Sequence, residues 1–172
     1  MHAQPTVESQ AWKQPALLAA LGCGILCIGL LIYLMDREAS RAVLLPSLAM
    51  PGSSKLFGTL GQWLPSFVHP LGFSLFTAAV LKPTTARLIA CAFWAAANVA
   101  FEVGQHAVFK PGWAEALHGG AGEWAVTRAI LNYGLHGTFD AKDLSAAVLG
   151  ALAAAVFIKV ADRIQEAPHA NT

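Results

Sequence analysis

A chain of 172 residues has room for one domain. Hydrophobic residues make up 56% of it and charged residues only 12%, against roughly 45–50% and 25% in a typical soluble domain, which argues against a soluble enzyme and strongly against disorder. A net charge of +1 offers no clustered basic surface for nucleic acid, and no phosphate-loop, dinucleotide-binding or zinc-finger spacing is present.

Pro15 to Met35 is a run of 21 residues without a charge. At about 1.5 Å per residue it is long enough to cross the hydrocarbon of a bilayer. It is too long, and too weakly basic ahead of its start, for a cleavable signal peptide. Cys23 and Cys27, like Cys91 further on, lie in apolar stretches at no metal or redox spacing and read as small apolar side chains. Asp36 to Gly61 contains Pro46, Pro51 and Gly52 and reads as a loop, with a short surface helix around Ser40 to Leu48.

The second run, Gln62 to Leu81, has 20 residues and no charge. Pro65 suits the first turn of a helix, and Pro70 predicts a kink or a late start. The third run, Leu88 to Phe109, has 22 residues and one formal charge, Glu102. Lys82 and Arg87 lie in the short connection between these two runs, with no acid beside them. Under the positive-inside rule this pair places both termini in the cytoplasm. Lys110 to Phe139 is Gly-rich and holds no long apolar run. Within it, Glu123 to Leu135 has helical spacing in Val126, Ile130 and Tyr133, which predicts an interfacial or re-entrant helix.

The fourth run, Leu144 to Ile158, has only 15 residues. It reaches full length if the helix begins near Asp140 and Lys159 snorkels. Ala146, Gly150 and Ala154 repeat every four residues, as do Ala147, Ala151 and Ala155, which permits close helix contact. The expected fold is all-α and polytopic, with spans near 15–35, 62–81, 88–109 and 140–161. They form a single domain over 15–164, between an amino-terminal tail of 1–14 and a carboxy-terminal tail of 165–172.

The polar residues within these runs are the candidates for chemistry. An ionised carboxylate at a membrane centre costs roughly 2.5–3.5 kcal/mol on insertion scales, so Glu102 needs a partner, a proton or a cavity. Asn98, Glu102 and His106 are spaced by four, with Gln105 beside them, and on a helix all four share one face. Such a stripe is either glue between helices or a site. Asp140 suits an N-cap and Asp143 the third helical position, where a negative charge favours the helix dipole. Capping and function are compatible, because a helix start holds a carboxylate firmly near the interface. Glu102, Asp140 and Asp143 are therefore the candidate catalytic residues. His69, beside Pro70, joins Asn98, Gln105 and His106 as a candidate binding residue. His118 and His136 read as solvated loop histidines, and Lys142 as facing water. No metal motif is complete and no cofactor is implied.

This combination resembles the VanZ-like family of small polytopic bacterial membrane proteins over roughly Pro65 to Phe157. The residues that carry the resemblance are Val68-His69, Phe101-Glu102-Val103-Gly104-Gln105, and Gly137-Thr138-Phe139-Asp140-Ala141-Lys142-Asp143-Leu144 leading to Leu149-Gly150-Ala151. The family pattern has a Glu and a Gln three apart, a variable loop, then Asp-x-x-Asp before an apolar span containing Gly. Gly137 stands where many members have an Arg, and Ala147 where many have an Asn. The resemblance implies a bacterial inner-membrane protein of the cell envelope, with a link to glycopeptide antibiotic resistance, and it supplies candidate positions without a reaction.

Three functions follow as expectations. The first is an envelope protein that acts on or binds an amphiphile or lipid-linked compound, with Glu102 and Asp140 as proton-sharing acid and base or as headgroup anchors. The second is a non-catalytic accessory subunit that docks a membrane-protein partner, or a further copy of the chain, through small-residue helices. The third is a small proton-coupled transporter with Glu102 and His106 as a relay. The expected surroundings are the lipid bilayer, and no nucleic acid is expected as a partner.

Overall fold

The computed structural model describes residues 13–36, 57–120 and 123–166. The expected surface helix at Ser40 to Leu48 lies outside them. Among the described residues there are helices and turns and no strand. Four helices among the described residues are long and apolar enough to cross a membrane. They are α1 (Lys13–Asp36), α2 (Leu60–Val80), α3 (Thr84–Gly104) and α6 (Ala141–Glu166). Between α3 and α6 the chain makes a 3₁₀ turn, Ala107–Phe109, and two short helices, α4 (Lys110–His118) and α5 (Ala125–His136). The protein is an all-α polytopic membrane protein.

The α2 helix sits at the centre, packed on α1, α3 and α6, while α3 also packs on α6 and α4 pairs with α5. Lipid tails are as apolar as leucine, so burying Leu18, Leu75 and Ile158 in the core supplies little of the drive it would supply in water; close packing and internal polar bonds take its place. Small residues allow the close packing. A Cβ on Gly22 of α1 would lie 2.8 Å from the Phe76 amide nitrogen of α2 and 2.9 Å from the Gly72 carbonyl. A Cβ on Gly150 of α6 would overlap the Phe67 carbonyl of α2. The expected small-residue face of α6 is the one turned inward, with Ala146, Ala147, Ala151 and Ala154 all buried. Large apolar side chains such as Leu31, Phe93 and Leu152 cover the outside, as a lipid-facing surface requires. Pro65 and Pro70 both lie inside α2, which starts at Leu60. Pro65 thus falls beyond the first turn, and the helix continues through Pro70.

The α2–α3 connection is shorter than the sequence implies. Pro83, in extended backbone, is the N-cap of α3, so only Leu81, Lys82 and Pro83 lie between the helices. Arg87 is consequently in the first turn of α3, and it is buried. Its Nε donates to the Leu81 carbonyl at 2.8 Å and its Nη1 to Asp162 Oδ1 of α6 at 2.6 Å. Asp162 also accepts from Thr84 Oγ1 at 2.6 Å and from Gln14 Nε2 of α1 at 2.7 Å. One carboxylate thereby joins the start of α1, the start of α3 and the end of α6. Arg87 is spent on this knot, so Lys82 is the one loop charge of the pair on which the orientation argument drew. Across the middle, Trp94 of α3 stacks on Phe73 of α2 at 4.6 Å and donates from Nε1 to Thr77 Oγ1 at 3.0 Å.

Two outcomes follow. Reporters fused after Gly119 and at the carboxy terminus should report opposite sides of the membrane; the same side for both would contradict four spans. Removing one partner of a buried ion pair costs about 3–5 kcal/mol, because it strands the other charge. Arg87→Gln and Asp162→Asn should each lower the thermal midpoint of the purified protein, and the charge-swapped double variant should recover part of the loss.

Candidate functional site

The second polar cluster lies at the opposite end of the bundle, where α3 stops. The sequence predicts a third span reaching Phe109, but α3 ends at Gly104. Two side chains take the carbonyls that a helix end leaves without partners. Trp113 Nε1 of α4 donates to the Gly104 carbonyl at 2.6 Å, and Gln105 Nε2 donates to the Phe101 carbonyl at 3.3 Å. Pro111, in the first turn of α4, starts the next helix in a new direction. Glu102 therefore sits in the last turn of its span and not at its centre.

Glu102 is 8% exposed. Its Oε1 accepts from the Asp140 backbone N–H at 2.5 Å, and its Oε2 from Gln105 Nε2 at 3.3 Å. Asp140 is the N-cap of α6, as the sequence predicts, because its Oδ1 accepts from the Lys142 N–H at 2.9 Å. In a capping box, a Glu at the third helical position reaches back to the N-cap amide. Here that position is held by Asp143, and the carboxylate on the N-cap amide comes from another helix. Glu102 thus fastens the start of α6 to the end of α3, and its charge lies at the positive end of the α6 dipole.

The structure brings together Glu102, Gln105, Asp140 and Asp143, the last in the first turn of α6. It does not extend the expected stripe to His106. Beyond Gly104 the backbone leaves the helix, His106 becomes extended, and its exposed ring packs edge-on to Phe139 at 5.4 Å while Nδ1 accepts from Val108 N–H at 3.4 Å. Asn98 stays on α3 but turns its Nδ2 back to the Trp94 carbonyl at 2.8 Å. His69 lies on α2 near Gly29 of α1, its ring 6.3 Å from that of Phe73. His118 and His136 are exposed at the last turns of α4 and α5, each with Nδ1 on the carbonyl four residues back. Among the described residues no group of three His, Cys, Asp or Glu is arranged for a metal ion.

Sequence reasoning missed two participants, Lys110 and Trp113, and the role of a third, Gly137. Lys110 donates from Nζ to the Gly137 carbonyl at 2.9 Å, tying α4 to the segment that leads into α6. Trp113 ends α3 and also packs against Gly134 of α5. Gly137 leaves the space that Gln105 fills, since a Cβ there would overlap the Gln105 carboxamide. An Arg at this position, as in the family pattern, is incompatible with Gln105 placed as it is. For Lys110 and Trp113 the available signal was Lys110-Pro111-Gly112-Trp113, a break that ends one helix and starts another.

Two apolar clefts open at this end of the bundle, lined by chain neighbours of the cluster residues and not by Glu102 or Asp140 themselves. One, of about 230 Å³, lies between α3, α4 and α5 and is lined by Phe101, Trp113, Ile130 and Tyr133. The other, of about 660 Å³, lies between the first turns of α2 and α6 and has Lys142 and Ser145 on its rim. Comparisons with protein-family models, with curated proteins and with solved structures returned no match.

Filling the Gly137 space should uncouple the cluster. Gly137→Ala should push Gln105 off Glu102 and destabilise the protein by about 1–3 kcal/mol, the usual cost of overpacking. Gln105→Ala should suppress part of that cost, so a double-mutant cycle should give a coupling well above zero. Additive effects would show that the two residues do not compete for one space.

Proposed function

We propose that the protein is a VanZ-like integral membrane protein of the bacterial cell envelope, whose Glu102 and Asp140 act on or bind an amphiphilic or lipid-linked envelope compound. The observation that carries this reading is a buried carboxylate in the last turn of a span, hydrogen-bonded to the backbone amide of a residue with an exposed carboxylate, at the end of the bundle where two apolar clefts open. An amphiphile needs apolar room for its tail and polar anchors at headgroup depth, and this end of the bundle offers both. Glu102, dry and hydrogen-bonded, and Asp140, in water on a helix start, have unlike surroundings, which is how two carboxylates come to divide acid and base roles. The family resemblance supports the envelope setting and the link to glycopeptide resistance, and the basic loop residue Lys82 supports cytoplasmic termini in the inner membrane.

A second reading, a non-catalytic accessory subunit, is favoured by one specific feature. Glu102 spends Oε1 on the amide that starts α6, which is what a purely structural group does. Glu102→Gln separates the two, because a carboxamide oxygen still accepts from the Asp140 N–H but cannot exchange a proton at neutral pH. In a complementation assay scored with membrane protein level, Glu102→Gln and Asp140→Asn should each abolish the envelope phenotype at undiminished abundance. The double variant should be no worse than either single one, as for residues acting as a unit. Full activity in Glu102→Gln would leave the accessory reading, and loss of activity that tracks loss of protein would make Glu102 a structural fastener.

A further inference from the structure

The larger cleft has a shape, a location and a charge that together specify an occupant. The α2 and α6 helices run in the same direction and are in close contact where a Cβ on Gly150 would overlap the Phe67 carbonyl. The cleft is lined by Trp63, Leu64 and Phe67 on one side and by Lys142, Ala146 and Leu149 on the other. Apart from Phe67 these residues all precede the contact, so the helices open into a wedge toward their first turns. Leu149 is 58% exposed, so the wedge opens sideways to the bilayer. Its floor is apolar over a volume of about 660 Å³, within the range of small-molecule and cofactor sites.

The rim is at headgroup depth. The α6 helix has 26 residues, about 39 Å at 1.5 Å each, which exceeds a hydrocarbon core of about 30 Å. The excess can leave both charged ends outside the hydrocarbon, and Asp140, Lys142 and Asp143 place the first turn at the interface, where Trp63, early in α2, is of the type that settles. Lys142 stands in that first turn, exposed on the rim. Asp140 and Asp143 flank it in sequence, yet among the described residues no carboxylate lies within ion-pairing reach of its ammonium group. The Asp140 carboxylate instead accepts from Lys142's own backbone amide. A cation with no ion-pair partner among the described residues, above an apolar wedge, complements an anionic headgroup above an acyl chain.

We propose that this wedge binds an anionic phospholipid of the surrounding bilayer, with one acyl chain between α2 and α6 and the phosphate on Lys142. The proposal deepens the amphiphile reading of this end of the bundle and rests on it for biological purpose, but not for binding. The test is native mass spectrometry of the full chain, released from detergent after titration with phosphatidylglycerol or phosphatidylcholine. The wild type should retain phosphatidylglycerol about fivefold better, the contribution of one lysine near an anionic surface. Lys142→Gln should bring the two lipids to parity, and Lys142→Arg should keep the preference. Lys159→Gln, at the other end of the same helix, should change nothing. Leu149→Trp, which fills the wedge, should lower retention of both lipids. Equal retention by the wild type, or an equal loss in Lys142→Gln and Lys159→Gln, would reduce the wedge to ordinary lipid contact and overturn the proposal. An inactive Glu102→Gln together with such a result would sink the wedge alone. A fully active Glu102→Gln with lipid preference intact would sink the acid–base site and leave the wedge.

Discussion

Within a bilayer, an apolar side chain gains little by choosing a protein neighbour over a lipid tail. What fixes helix positions there is the need to satisfy polar groups internally. This chain meets that need with two knots, one at each end of the α3–α6 pair. Arg87 and Asp162 close one end, and Glu102 and the Asp140 amide close the other. Both knots reach beyond the pair. The first recruits Gln14 of α1, and the second is buttressed by Gln105, which needs the empty side-chain space at Gly137. Sliding α6 by one residue, about 1.5 Å, would break both knots together.

The two knots differ in what they leave available. At the first, Asp162 accepts from a guanidinium, a hydroxyl and a carboxamide, and the arrangement reads as structure. At the second, Glu102 is buried while the Asp140 side chain is exposed. The same hydrogen bond that anchors α6 therefore holds a carboxylate at the end of the bundle where the apolar clefts open. A fastener and a reactive group make different demands on Glu102, since the first needs only a fixed acceptor and the second a proton that can come and go.

The four spans were legible because charge is scarce and its absence is long-range information. Asp140 was legible as an N-cap because capping is local chemistry, and Glu102 because a lone acid in an apolar run has few innocent explanations. His106 was misplaced for a tertiary reason. Gly104 alone does not stop a helix, and the carbonyl freed where α3 ends is capped by an indole from nine residues further on. Arg87 was misread because Pro83, the true start signal of α3, sits inside what looked like a six-residue loop. Asp162 drew no attention because its partner is distant in sequence and an acid near a chain end ordinarily meets water. The α4 helix went unseen because nine residues are too few to show a period against a Gly-rich background.

The distance in sequence between Arg87 and Asp162 has a consequence for biosynthesis. The two residues are separated by 75 positions, and at roughly 5–20 residues per second the ribosome needs several seconds to cover that interval. During that time a nascent α2–α3 hairpin has its arginine at hand and the matching acid still unmade. The short turn supplies a provisional partner, since the Leu81 carbonyl that Arg87 engages belongs to the hairpin itself. Arrival of the last helix then replaces hydration of Nη1 with the Asp162 carboxylate. Insertion of the final span thereby becomes the step that locks the earlier ones, and a chain truncated before Asp162 carries an arginine without its carboxylate.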